Sequence, residues 1–582
     1  MKLFKLVIVF GLCLLSCQIK KEGTTRTSKE TTKLRLPERP NILWLVSEDM
    51  SPYIPPFGDN TVATPNLSRL ANEGVIYPNL YSTSGVCAPS RAAIATGMYP
   101  SSIGANHMRV NSYNDEIGVP KYEAVPPPEV KMISELLRKQ GYYCSNNYKT
   151  DYQFKEPVTA WDENSPYAHW RNRSKDQPFF AVFNFTDTHE SGLFEPYGFR
   201  EIESRLYHAG DKDYKWKGFG ASHANNKSAE SETTIHISKE TKFKVPPYLP
   251  DNEVTQRDMW KLYNNIAEMD KRVGAVLKQL EEDGLLENTI IFFYGDHGGP
   301  LPREKRLIYD SGLNTPMIIR YPNKLMAGTK DEQLISFIDF APTLLSITGQ
   351  EPKPYFQGQA FLGEQQPEER KYIHGAADRF DGFTDAIRAV RDNQYKYIRN
   401  YRPDQGYYLP ITYREKIPTM QELLRLKAEG KLNDLQMQWF REHKPKEELF
   451  DCKADPFELN NLADIPEYQE KLKELRTEMD RWLTEIGDDP SLKEAKLVEK
   501  LWSGSDAQPV TAIPVLTSEN GKVSVSCETE GASIGYKIIK DGNTPKSWMV
   551  YQEPIALLEG EKIQVQAHRI GFVASKTITK SI

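Results

Sequence analysis

Four polar clusters, each placed just after an apolar run, carry most of the chemistry legible in this chain. Glu48-Asp49 follow Asn41–Val46, and Lys149 with Asp151 follow Tyr142–Ser145. Asp187 and His189 follow Phe179–Phe185, and Asp296-His297 follow Thr289–Tyr294. Acid pairs offer hard oxygen ligands to a divalent cation, although any single pair can equally be a solvated loop. A fifth signal is Cys87-Ala-Pro-Ser-Arg91, continuing Ala-Ala-Ile-Ala-Thr96-Gly97. Pro89 can open a helix and Gly97 can close it, which puts Cys87 at a helix N-terminus. Free N–H groups and the helix dipole favour anions there. Arg91, one turn on, can hold an oxyanion or a neighbouring side chain. By residue type alone, Cys87 is either a thiol poised at an anion site or a plain buried cysteine.

Periodicity then predicts the elements that position these groups. The four runs, with Pro316–Arg320, read as buried parallel strands separated by amphipathic segments, an α/β sheet covered on both faces. Ligands of such sheets bind beyond the carboxyl ends of the strands, where the four clusters fall. The clearest helix runs from about Asn252 to Glu282, with Asp251 as its expected cap and Gly284 ending it. Residues 370–505 read as a smaller α+β subdomain. It has antiparallel strands in 386–400 that turn at Asp392-Asn393, and a helix over about 466–486. Residues 506–582 lack helical period and alternate in short runs such as Val523-Ser-Val-Ser526, a small all-β module.

The chain's 582 residues allow several domains, and its 39% hydrophobic and 26% charged residues are ordinary for a folded protein. A net charge of −6 with no basic tail excludes general nucleic-acid binding. Lys2 and Lys5 precede the apolar run Leu6–Leu15, too short to span a bilayer but suited to a signal peptide over 1–16. Leu14-Leu15-Ser16-Cys17 resembles a bacterial lipobox, in which Cys17 would carry lipid; an ordinary secretory signal with a chance cysteine is the alternative. Loss of 1–16 takes away Lys2 and Lys5 and moves the net charge from −6 to −8. Residues 17–38 then form a flexible tether. The expected product is an exported bacterial lipoprotein on the periplasmic side of the membrane or at the cell surface. Cys144, Cys452 and Cys527 lack zinc-site or disulfide-framework spacing.

Cys87, Pro89, Ser90, Arg91, Thr96 and Gly97 together resemble the hallmark of the type I, formylglycine-dependent sulfatases of the alkaline-phosphatase-like superfamily. Arg39-Pro-Asn-Ile42, Thr64-Pro-Asn-Leu67, Gly295-Asp-His-Gly298 and Glu448-Leu-Phe-Asp451, with Asp455-Pro456 and Asn461-Leu-Ala463, extend the resemblance in family order over roughly 39 to 485. The resemblance implies a large mixed, mostly parallel sheet sandwiched by helices, with the catalytic domain over 39–369. It further implies that a maturation enzyme oxidises Cys87 to formylglycine, whose hydrate is the nucleophile. Ca²⁺ would be held by Glu48, Asp49, Asp296 and His297. Glu48 stands where Asp is usual, and His297 is the less comfortable ligand because Ca²⁺ prefers oxygen. Arg91, Lys149 and Lys305 would stabilise sulfuryl oxygens, Asp296 would accept the nucleophile's proton, and His189 or Lys305 would protonate the leaving group. Many relatives carry a histidine two positions after the lysine as the regenerating base; here Asp151 occupies that place, or the base comes from elsewhere.

Phe179-Phe-Ala-Val, Thr188-His189, Val245-Pro-Pro-Tyr-Leu-Pro250 and Tyr407-Tyr408-Leu409 look closest to the heparan N-sulfatase (sulfamidase)-like branch, which includes bacterial polysaccharide sulfatases. The implied substrate is a sulfated polysaccharide or its oligosaccharides, glycosaminoglycan or algal such as ulvan, cleaved at O- or N-sulfate. Arg379, Arg388 and Arg391, with Lys396 and Arg399, are the expected sugar subsite. The module at 506–582 resembles a chitobiase-type C-terminal domain and is either glycan-binding or structural. A phosphoester or phosphonate monoester hydrolase of the same superfamily, or an unconverted glycan-binding lipoprotein, remains the alternative function.

Overall fold

Runs of seven residues that are buried throughout form the centre of the molecule: β1 (Asn41–Ser47), β5 (Phe179–Phe185) and β6 (Thr289–Gly295). A strand covered on both faces cannot alternate polar and apolar residues, which is why each reads as an unbroken apolar stretch. A computed structural model describes residues 36–199, 230–365 and 368–581. The expected signal segment, Cys17 and the tether up to residue 35 lie outside the described residues. No described helix is long and apolar enough to cross a membrane.

Six more strands complete the central sheet: β2 (Val75–Tyr81), β3 (Tyr143–Asn147), β4 (Glu163–Asn164), β7 (Asn314–Arg320), β8 (Thr329–Lys330) and β9 (Ile335–Ser336). The order is β4-β3-β5-β1-β6-β7-β2-β8, with β9 also on β2. The segment β4 to β6 is parallel throughout. The strand at Pro316–Arg320 is the exception to the parallel reading, because β7 runs antiparallel to both β6 and β2. A doubly buried strand is apolar in either direction, so its composition does not encode its polarity. The β6–β7 connection contains only a four-residue helix, Asp310–Leu313, rather than a full crossover helix. One sheet face packs Trp44 against Phe180 and Phe340, with ring centroids 4.8 and 5.5 Å away. Leu43, Leu45, Phe183 and Ile291 join Val273 and Leu280 of the long helix Glu253–Glu282 in the main core.

That helix is capped by Asn252 and not by Asp251. The Asn252 side-chain oxygen accepts from the backbone N–H of Val254 and Thr255 at 3.1 and 3.2 Å, while Asp251 accepts from Gln256 Nε2. Beyond residue 370, β10 (Ile373–Ala377), β11 (Ile387–Arg391), β12 (Tyr395–Asn400) and β13 (Glu447–Asp451) form an antiparallel sheet. The β11–β12 turn closes on Asp392, whose carboxylate accepts from Gln394 N and Tyr395 N. Helix Gln469–Ile486 buries Leu472, Leu475, Met479 and Trp482 and packs on β11 and β12. Residues 515–581 form two small antiparallel sheets around Val523, Val525, Ile563 and Val565. These sheets are bonded to the central-sheet domain, with Ser547 Oγ donating to Asp162 O and Arg138 donating to Trp548 O.

Candidate active site

The strand order β3-β5-β1-β6 makes neighbours of the four strands whose ends carry polar clusters. Lys149, Asp151, His189, Glu48 and Cys87 consequently line one pocket, together with Lys305, Glu190, Arg306, Arg109, Met108, Thr186, Tyr148 and Tyr413. Cys87 is the first residue of helix Cys87–Thr96, all ten residues of which are buried, and Gly97 closes it at φ 68°. The preceding residue Val86 gives no side-chain cap. Gly85 is needed for close approach: a Cβ there would strike the Leu307 carbonyl, and Arg306 N donates to Gly85 O at 2.6 Å. This contact brings the loop carrying Lys305 against the cysteine helix.

Asp49 and Asp296 are fully buried and adjoin each other, with Asp49 N donating to Asp296 Oδ1 at 3.0 Å. Asp49 adopts φ 49°, a left-handed backbone uncommon outside glycine and typical of residues constrained at a site. Lys305 Nζ donates to both Asp49 oxygens at 2.8 and 2.6 Å, and Glu190 N donates to Oδ2 at 2.8 Å. Burial favours protonation of Asp49, yet the charges of Lys305, His189 and His297 hold its carboxyl well below the usual range. Burial likewise opposes ionisation of Asp296, and His297 and Arg91 outweigh it.

His297 Nδ1 faces Gly298 O at 2.9 Å, so it carries the donor hydrogen. Its Nε2 lies 3.1 Å from Asp49 Oδ1, 3.7 Å from Asp296 Oδ1 and 3.5 Å from Cys87 Sγ. A lone pair cannot face carboxylates unaided, so this nitrogen needs either a second proton or a shared cation. Asp49, Cys87 and His297 place possible ligand atoms within 4.8 Å of one another. Glu48 gives Oε2 to Lys149 Nζ at 2.9 Å, while its buried Oε1 has no hydrogen-bond partner. A buried carboxylate oxygen without a partner has the chemistry of a ligand to a hard divalent cation.

Arg91 spans the site, bonding Asp296 Oδ2 through Nε at 3.1 Å and Asn184 Oδ1 through Nη1 at 2.8 Å. Asn184, inside the apolar run of β5, also donates to Asn146 Oδ1 and Asn147 O, both at 3.1 Å, and so ties β3 to β5. His189 Nδ1 accepts from Ser191 N, which leaves the proton on Nε2, 4.0 Å from Asp49 Oδ2. Asp151 Oδ2 lies 3.9 Å from Lys149 Nζ. Sequence reasoning missed Asn184, Glu190 and Arg306. A lone asparagine among phenylalanines was a readable sign of a buried polar contact, whereas the Glu190–Arg306 pair, at 2.9 and 2.7 Å, gave none. Asp187, part of one strand-end cluster, pairs with Arg272 and does not line the pocket.

The expected sugar subsite is corrected. Arg379, Arg388 and Arg391 are buried and absent from the pocket lining. Arg379 donates to both oxygens of Glu494 at 2.7 and 2.9 Å. Arg388 pairs with Asp378 and Asp488, and Arg391 with Asp310. Lys396 is buried against Asp310 and Glu458, and Arg399 pairs with Asp480. Charges as deep as Arg379, Arg388, Arg391 and Lys396 require partners, so these four side chains brace the α+β region instead of meeting ligand.

The chain matches the sulfatase family over residues 40–350 and the family described as N-sulphoglucosamine sulphohydrolase, C-terminal, over 295–418. An ulvan-active sulfatase of Formosa agariphila is 71% identical over 99% of this chain and 97% of its own length. Human N-sulphoglucosamine sulphohydrolase is 23% identical over 77% of this chain and 90% of its own. A solved structure described as a complex with its substrate D-glucosamine-2-N,6-O-disulfate shares the fold, with TM-score 0.52, 19% identity and coverage of 78% of this chain and 100% of that one. A 2-O GAG sulfatase gives TM-score 0.51 at 19% identity over 78% and 94% of the two chains. With a family match that spans the cysteine helix and all four strand ends, and a relative aligned end to end, this chain belongs to the sulfatase family.

Proposed function

We propose that the protein hydrolyses sulfate esters of an ulvan-type polysaccharide, or of its oligosaccharides, at the pocket centred on Cys87. The observation that carries this reading is the meeting of Cys87 with Lys149, Lys305 and His189 beside three buried carboxylates at neighbouring strand ends. The end-to-end similarity to an ulvan-active sulfatase supports ulvan as the polymer. Formylglycine formed from Cys87 would supply a hydrated aldehyde as nucleophile, and Ca²⁺ held by Glu48, Asp49 and Asp296, with His297 beside them, would polarise the sulfate.

The remaining chemistry belongs to the chain's own side chains. Lys149 and Lys305 line the pocket as ammonium groups and offset charge on the sulfuryl oxygens. Glu48 and Asp49, their anchors, keep both lysines protonated against the opposing effect of burial. His189 offers its Nε2–H to the departing sugar oxygen. Arg91 holds Asp296 and Asn184 in register with the cysteine helix. We read residues 1–16 as a signal peptide and Cys17 as a lipid anchor, which would place the enzyme at the periplasmic face or the cell surface. A maturation enzyme acting on the Cys87 motif belongs to the same reading.

The test is sulfate release, resolved by position, from ulvan oligosaccharides and from glycosaminoglycan oligosaccharides. Release from the ulvan set is the expected result. Release from the glycosaminoglycan set alone would contradict the substrate, and release from neither would contradict the activity.

A further inference from the structure

The cations lining the pocket fall into two groups. Lys149, Lys305 and Arg306 lie within 2.9 Å of Glu48, 2.6 Å of Asp49 and 2.7 Å of Glu190. Arg109 lines the same pocket, but its side chain is 47% exposed and its Nε stands 3.5 Å from Asp381 Oδ1. The guanidinium is half-exposed while Asp381 is buried, and 3.5 Å is a long contact for a charged pair.

The backbone beneath Arg109 is far more firmly held. Arg109 sits at φ 61°, a left-handed conformation that non-glycine residues keep only when their surroundings enforce it. Met108 N donates to Arg379 O at 2.8 Å, and Arg379 Nη1 returns a bond to Met108 O at 3.1 Å. Arg379 N donates to His107 Nδ1 at 3.2 Å, and Arg379 Nη1 also donates to Asp381 O. Arg379 thus clamps both the segment that carries Arg109 and the segment that carries its partner Asp381. The result is a fixed backbone that presents a loosely engaged guanidinium at a pocket whose other cations have close carboxylate partners.

We propose that Arg109 binds the anionic group of the sugar adjoining the sulfated one, a uronate carboxylate or a second sulfate, and thereby selects an acidic polymer over a neutral one. This rests on the sulfatase reading above. Asp381, buried and held at 3.5 Å, competes for the guanidinium, which keeps that contact while turning its exposed N–H groups to a substrate anion. The three buried arginines, first expected to touch sugar, contribute here only through Arg379, which positions Arg109 from behind.

Equilibrium binding to the Cys87→Ala chain tests this without turnover, so failed hydrolysis by the matured parent protein counts against the sulfatase reading alone. The probes are a sulfated oligosaccharide with a uronate beside the sulfated sugar, its carboxyl-reduced form, and forms with and without a second sulfate at that neighbour. The expected result is a preference of about tenfold for a charged neighbour, the size of one exposed charge-assisted contact. Adding Arg109→Ala removes the preference, Arg109→Lys keeps part of it, and Asp381→Asn enlarges it by freeing the guanidinium. A preference confined to the uronate or to the second sulfate supports the proposal and identifies the anion. Equal binding of charged and neutral ligands to the Cys87→Ala chain, or an undiminished preference after Arg109→Ala in a chain of unchanged thermal midpoint, would overturn it.

Discussion

His297 Nε2 lies 3.1 Å from Asp49 Oδ1, while its Nδ1–H is committed to the Gly298 carbonyl. Burial disfavours an imidazolium here, yet Asp296 and Asp49 push the His297 pKa up to about 10. The site thus requires positive charge between its carboxylates, supplied by a proton on His297 or by a bound cation.

Calcium should therefore stabilise the folded chain. At a concentration of one hundred times its dissociation constant, it adds about 2.7 kcal/mol. Glu48→Gln, which removes the charge behind the unpartnered Oε1, should weaken calcium binding by roughly tenfold. Thermal midpoints across a calcium titration of chelator-treated protein measure both. A midpoint indifferent to calcium would count against the assigned ligands.

His189 lines the pocket and, with Nδ1 accepting from Ser191 N, carries its proton on Nε2. His189→Ala should lower kcat by roughly 10² to 10⁴-fold on sugar sulfates, the usual worth of a general acid. The loss should be far smaller on an aryl sulfate, whose phenolate leaves without a proton. Equal losses on both substrates would remove His189 from that role.

Arg388 is buried between Asp378 and Asp488. Arg388→Ala leaves both acids without their cation and should cost about 3–5 kcal/mol of stability. Chemical denaturation reads this directly. A raised KM with unchanged stability would instead restore the sugar-binding role first expected of it.

Glu304 accepts from Tyr248 Oη and from Leu301 N, and burial pushes its pKa up to about 7 from a usual 4.5. For a carboxyl raised in the folded state, the stability contribution is complete below about 4.5 and is lost as pH rises through about 7. Glu304→Gln should lessen the fall in thermal midpoint between these two values. Some fall remains, because burial also raises Glu458 to about 7, with Lys396 opposing. An unchanged pH profile in the variant would contradict this assignment.

The strand-end clusters were legible because buried strands announce themselves as apolar runs, and whatever follows such a run lies at the sheet's rim. Cys87 was legible through Pro89 and Gly97, which bracket its helix. The polarity of β7 was not, since burial on both faces looks the same in either direction. The arginines at 379, 388 and 391 misled for a related reason. Sequence records a cation but not the carboxylate opposite it, and Glu494 and Asp488 lie roughly a hundred residues away from their partners. Arg109 was overlooked for the converse reason, because nothing local marks a cation whose backbone is clamped from Arg379.

The most direct measurement compares sulfate release from sulfated oligosaccharide by the matured protein and by its Cys87→Ala variant. Loss of the nucleophile should lower kcat by roughly 10³-fold or more, with the thermal midpoint preserved. A Cys87→Ala protein that releases sulfate within about tenfold of the parent rate would contradict a reaction centred on Cys87.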